Sequence, residues 1–454
     1  MRIRISLRIL GLLLVGLGLA AVNVSAGGEE EAAATGPITI GLLNAKGMAW
    51  ANNEELMASQ AEEYNRIHGT EITVESSLVP FESLHEKALT DFVSGTGSFD
   101  MISVLGDWLA EFIRGQFLEP LDDYLAAKPP DGYPEQFPPA LMWMQTGPDG
   151  KIYGLPFHDG PIMFYYRKDL IADPANQAAY KDRYGYDLDV PKTWAQFRDH
   201  AEFFTTEDNY GTILGAKQGG QQLPYDFMIL LYNHGGKMFD EEWRPAFNDE
   251  AGLAAMQFYV DLLNLHMVAD PASTTWDVGD KLGPVLEGRT AVVWDWTHVA
   301  MLSLREDQSK VVGQLGWTTM PVAEEGMTPY TMDDYWVWSI GSASRHKQQV
   351  YDFIRWQVSK ANDALTYTKG SGVGVRYDNY RDPEMIEKFP FVTGVEEALS
   401  VNYFTPPKVP EYAQINDVIG LAMSEVIAGL KDAQTALDEA EEKIDQIMRK
   451  AGYY

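Results

Sequence analysis

Apolar positions along this chain switch repeatedly between a strand period and a helix period, and the switches outline its elements. Residues 38–43 read as a buried strand, 54–68 as a helix with Met57, Ala61 and Tyr64 on one face, and 72–74 as a second strand. Strand, helix, strand predicts a parallel βαβ unit. A second unit follows: a helix over 84–93, a turn at 95–98, a strand over 99–105, and helical spacing of Trp108, Phe112 and Ile113 up to Gly115.

Proline and glycine then crowd residues 129–150 and mark loops. The stretch 149–170 (DGKIYGLPFHDGPIMFYYRKDL) joins a turn to two short apolar runs broken at Pro156 and Gly160, the wording of a chain leaving one domain for another. Beyond it, 194–204 is a helix opened by Pro191 and Thr193, and Asn248 or Asp249 caps a helix running to about 264. Strands are legible at 290–294, 313–319 and 335–340, with a helix over 346–358. Near the C-terminus, Ile415, Val418, Ile419, Ala422, Val426, Ile427 and Leu430 repeat at helical spacing, as do Leu437, Ala440, Ile444, Ile447 and Met448. Such stripes predict helices docked on their own domain.

The first 26 residues add a compartment: Arg2, Arg4 and Arg8, an apolar run of 14 residues from 9 to 22, then Val24, Ser25 and Ala26. That layout predicts a secretory signal cleaved after Ala26, the run being short of the ~20 residues of a membrane span. Residues 27–36, acidic and alanine-rich, predict a disordered leader. The remaining 428 of 454 residues predict two domains or more. The whole chain carries a net charge of -31 and no cysteine, which excludes disulfides and argues against nucleic acid or anionic membrane as partner. A ligand that is neutral or cationic suits it better. Twelve Trp and 23 Tyr exceed what a core requires, so some rings are expected to line a surface.

Catalytic signatures are missing. There is no nucleophile elbow and no zinc-type histidine pair, and the glycine-rich 370–374 lacks the helix and acid of a dinucleotide site. No cofactor is expected. Acidic pairs at 122/123 and 333/334 read as loop residues before they read as a glycosidase pair.

Six motifs in order carry a resemblance: FDMISVLGDWLAEFIRGQFLEPL over 99–121, the 149–170 segment, Pro191/Thr193/Trp194, Gly235/Gly236, GRTAVVWDW over 288–296, and VPEY over 409–412. Together they resemble the family 1 extracellular solute-binding proteins of ABC sugar importers. The resemblance implies a two-lobed α/β fold of the type II periplasmic-binding-protein kind, each lobe a mainly parallel sheet flanked by helices. Lobe one would take 37–150 and 334–381, and lobe two 151–333 and 382–454. It implies a secreted, periplasmic or extracellular monomer that holds a neutral saccharide or polyol and delivers it to ABC permease subunits. A secreted glycan-active hydrolase and a ligand sensor for a membrane kinase are the alternatives.

Sugar sites pair flat aromatic faces with carboxylates that accept from hydroxyls. Lys46, Asp107, Asp159 and Tyr225 are candidates by their match to binding positions of maltose-binding relatives, Asp107 having the alternative of a helix N-cap. Trp50 and Trp108 stand beside the first and third strands. Trp294 and Trp296 share a strand face, which makes one core and the other site; Trp296 and His298 are the candidates. Asp334, Tyr335 and Trp336 replace the family's usual Gly-Gly-Trp, implying a smaller or more polar ligand or one with a cationic group. Arg376 is a further candidate, with pairing to an acid as its alternative.

Overall fold

A computed structural model describes residues 36–46, 53–158, 160–207, 209–369 and 372–454. The expected signal, nearly all of the leader, Trp50 and Asp159 lie outside these residues.

The first sheet runs in the order β2–β1–β3–β9–β4, from β1 (Ile38–Lys46), β2 (Ile72–Pro80), β3 (Met101–Leu105), β4 (Leu155–His158) and β9 (Trp336–Ile340). Its β2–β1–β3 block is parallel, as the two βαβ units require, whereas β9 is antiparallel to both β3 and β4. Helices Asn53–His68, Phe81–Ser94 and Lys347–Gln357 cover it, and Leu42, Val104, Trp338 and Phe353 share its core.

The second sheet is β6–β5–β7, from β5 (Ile162–Arg167), β6 (Val292–Trp296) and β7 (Leu315–Thr318). Ile162, Phe164, Val292 and Trp294 point into one core, while Met163, Tyr165 and Val293 point into another. Coverage on both faces is why these strands read as unbroken apolar runs. The first of those cores also takes the helix Gln222–Asn233, the helix Glu250–Asn264 and both C-terminal helices, with Leu437, Ile444 and Met448 buried. A short parallel pair, β8 (Tyr330–Met332) with β10 (Asn402–Phe404), completes the strands named here.

One expectation is corrected. The second sheet is not mainly parallel: β5 pairs antiparallel with both β6 and β7. The reason is the route of the chain. It leaves the first sheet at His158 and starts β5 at Ile162, while β6 ends at Trp296, and Ile162 pairs with Trp296. A strand that starts at the crossing and one that ends there run in opposite senses.

Local chemistry explains the boundaries. Thr193 accepts from the Gln196 amide, and the Gln196 side chain accepts from the Thr193 amide, a capping box that opens the helix Trp194–Phe204. Asp249, of the two residues expected, caps Glu250–Asn264.

Candidate functional site

Several strand ends meet at one cavity. The carboxyl ends of β2, β3, β4 and β6 bring Phe81, Leu105, His158, Trp296, Thr297 and His298, and the start of β9 brings Asp334 and Trp336. Gln221 and Tyr225, at the start of the helix Gln222–Asn233, close the opposite side. The cavity measures about 80 Å³, and Phe81 and Gln221 are shared with an outer compartment of about 270 Å³ that adds Asp107 and Trp108.

At its centre is a hydroxyl between two carboxylates. The Tyr225 hydroxyl lies 3.0 Å from Asp107 Oδ2 and 3.1 Å from Asp334 Oδ2. A phenol carries one hydrogen, so it donates to one carboxylate at a time. Gln221 Nε2 donates to the same phenol oxygen and reaches Asp107 Oδ2 at 3.4 Å. All three groups are buried, Asp107 at 7% exposure and Asp334 at 4%. The other oxygen of each carboxyl, Oδ1, has no hydrogen-bond partner in the protein. The backbone amides of Asp107 and Gly106 lie near the Asp334 carboxyl and pull it down in part, the Gly106 amide also reaching the Tyr335 carbonyl at 3.0 Å.

Burial, relieved only partly by the Tyr225 bond, pushes the Asp107 carboxyl up to about 7. Burial first, and then the charge of Asp107, push Asp334 well above the usual carboxylate range. Two oxygens that each lie within 3.1 Å of one hydroxyl are at most about 6 Å apart, where like charges repel by roughly 3 kcal/mol at an effective dielectric constant of 20.

The walls are aromatic. Trp336 meets Trp108 edge to face at 5.6 Å and Phe81 at 6.0 Å, while Phe81 stacks on Trp108 at 6.1 Å. Trp296 stands edge to face with Tyr225 at 5.8 Å, its indole nitrogen donating to Gln222 Oε1. Trp294 is in the core and donates to Asp226. Behind Trp296, the buried Lys281 lies 3.4 Å from Asp295, and Asp226 accepts from Gln222 and Tyr259. The two histidines of the wall are held neutral by burial, His158 at about 4 and His298 below its ordinary value.

The structure thus brings Asp107, Trp108, Tyr225, Trp296, His298, Asp334 and Trp336 to one cleft. Asp107 is not a helix cap: neither helix start beside it is capped by a side chain, and its carboxyl points to Tyr225. Three candidates fall elsewhere. Tyr335 is fully buried on the other face of its strand, its hydroxyl accepting from the Gln145 amide. Alternation along an extended segment sends Asp334 and Trp336 one way and Tyr335 the other. Arg376 is buried against Asp378, the carbonyls of Asp131 and Val358, and the ring of Phe137, the pairing that was its alternative. Lys46 is exposed at the end of β1, paired in register with Pro80. Phe81, His158, Gln221, Val278 and Thr297 line the cavity without having been expected. Phe81 was findable, since it follows a parallel strand just as Asp107 does.

The family model described as bacterial extracellular solute-binding protein matches residues 50–364. A probable amino-acid ABC transporter periplasmic-binding protein of Sinorhizobium fredii is 25% identical over 88% of this chain and 88% of its own length. The mannitol-binding protein of Pseudomonas aeruginosa is 24% identical over 89% of this chain and 93% of its own. Among solved structures, an ABC transporter solute-binding protein of Agrobacterium radiobacter in complex with ribitol superposes with a TM-score of 0.76 at 24% identity, covering 90% of this chain and 98% of its own. The maltose-bound MalE3 of T. maritima gives 0.76 at 22%, covering 90% and 99%. These neighbours establish the fold as the two-lobed type II periplasmic-binding-protein fold.

Proposed function

Because the chain belongs to the bacterial extracellular solute-binding protein family, we propose that it is the substrate-binding subunit of an ABC importer and that it captures a saccharide or polyol in the cleft. The observation that carries this reading is the cavity itself, aromatic walls beside the buried carboxyl of Asp334 and, in the adjoining compartment, that of Asp107. Aromatic faces suit the C–H surface of a sugar, and the carboxyl oxygens suit its hydroxyls. About 80 Å³ holds roughly six waters at 10–15 Å³ each, the bulk of one monosaccharide or hexitol.

In this reading the lobes are residues 37–158 with 334–381 and 162–333 with 382–454, the first boundary moved from the expected 150 because β4 pairs with β9 in the first sheet. The segments between β4 and β5 and between β8 and β9 would serve as hinges. A ligand touching Asp107 on one side and Tyr225 on the other favours the closed form, which the permease then receives. The protein is exported and works by binding without turnover. A carboxylate pair is also what a glycosidase needs, so release of monosaccharide from a disaccharide by the purified protein would replace this reading with the hydrolase.

A thermal-shift screen of mono- and disaccharides, pentitols and hexitols tests the proposal. A ligand at 100 times its Kd adds about 2.7 kcal/mol of stability. If every compound leaves the transition where it was, the saccharide reading fails.

A further inference from the structure

The charges around the cavity do not balance. Asp107 and Asp334 face it, and Asp226 and Asp295 lie behind its Trp296 wall, all four buried. Against them stands Lys281, which is 3.4 Å from Asp295 and donates to the Trp294 carbonyl. Among the described residues no lysine or arginine lines either compartment. His85, whose charge acts on Asp107, is 2.8 Å from Glu111. Arg376, the cationic candidate of the sequence, is committed to Asp378. Without a cation the two buried carboxyls hold protons instead of standing as bare charges, and a cationic ligand would bring the charge that lets them ionise.

We infer that the ligand carries a protonated amine as well as hydroxyls, and that its ammonium group sits on the cavity side of Asp107 and Asp334, beside the Tyr225 hydroxyl that joins them. This rests on the saccharide or polyol reading and narrows it to hydroxylated amines such as amino sugars and amino-alditols. An ammonium offers three donors and a charge. Asp334 lines the inner cavity and Asp107 the outer compartment that shares Phe81 and Gln221 with it, so an ammonium at their junction lies beside both acids. A hydroxyl in the same place donates one hydrogen and neutralises nothing. The rings of Trp108, Trp296 and Trp336, which suit the carbon skeleton of a sugar, also suit a cation over their faces. Net charge of -31 draws such a ligand toward the protein.

The test is calorimetry on the purified protein at pH 7 with matched pairs that differ only in an amine replacing a hydroxyl: glucosamine and glucose, mannosamine and mannose, glucamine and glucitol. The amine is expected to bind at least about tenfold tighter in one or more pairs. Asp334→Asn should then weaken the amine by about tenfold or more and the neutral partner by severalfold less. Asp107→Asn gives the same readout should Asp334→Asn fail to fold. Neutral members that bind as well as their amines overturn the inference and leave the saccharide reading intact. Loss of both members equally in the Asn variants also overturns it, since the carboxylates would then be acting as hydroxyl acceptors. Silence from all pairs, together with silence from the wider thermal screen, removes the saccharide reading and this inference with it.

Discussion

Replacing Asp107 with Asn should change how the stability of this protein depends on pH, and the change has a definite sign. In the folded protein burial lifts the Asp107 carboxyl to about 7 from an ordinary 3.8. Folding therefore favours the protonated acid. The stability that this provides is fully present below about pH 4 and is lost as pH rises through 7. Each unit of displacement corresponds to about 1.4 kcal/mol, so roughly 4 kcal/mol is at stake across that window. Asn carries no proton to lose, and its presence also removes the charge that helps to lift Asp334. His158 and His200, both held near 4 by burial, act in the opposite sense: the stability that they contribute is lost as pH falls from about 6.5. That background is common to both proteins and cancels in the difference. Urea unfolding of native protein and Asp107→Asn at half-unit steps from pH 4.5 to 8 supplies the measurement. The native protein should lose about 3–4 kcal/mol relative to the variant over that range. Parallel curves would mean that Asp107 is not a buried, proton-holding acid, and the description of the cleft would be wrong.

Three further outcomes follow from the same geometry. Gly106→Ala places a methyl group 2.0 Å from Met144 Cε and 2.8 Å from Asp334 Oδ1; it should cost about 1–3 kcal/mol by unfolding and weaken ligand binding through displacement of Asp334. Lys281→Met strands the buried Asp295, so a loss of about 3–5 kcal/mol is expected, read by thermal melting. Thr193→Ala removes a capping box at a residue that does not line the cleft; it should lower stability by about 1 kcal/mol and leave ligand affinity unchanged, which calorimetry checks.

Much of the molecule is legible in one dimension. The parallel β2–β1–β3 block follows from alternating strand and helix patterns, because each period records which face of a segment is covered. The caps at Thr193 and Asp249 are local hydrogen bonds between residues three apart, so they too can be read from the string. Strand ends were harder. β2 extends to Pro80, well past the apolar residues at 72–74, since its later residues are held by parallel pairing to β1 and not by their own pattern. The antiparallel second sheet was missed because direction depends on where the chain enters, which no periodicity records.

The cleft divides along the same line. Asp107, Tyr225, Trp296 and Trp336 were visible as residue types suited to a sugar at strand ends and at positions matching relatives. Which of Asp334, Tyr335 and Trp336 faces the ligand was decided by the pleat of one strand, and Arg376 was removed by partners more than two hundred and fewer than twenty residues away in sequence. The central fact is that Asp107 and Asp334 share one tyrosine hydroxyl and leave two oxygens unanswered. It joins segments more than a hundred residues apart, and the burial that lifts two ordinary acids out of the carboxylate range exists only once those segments meet.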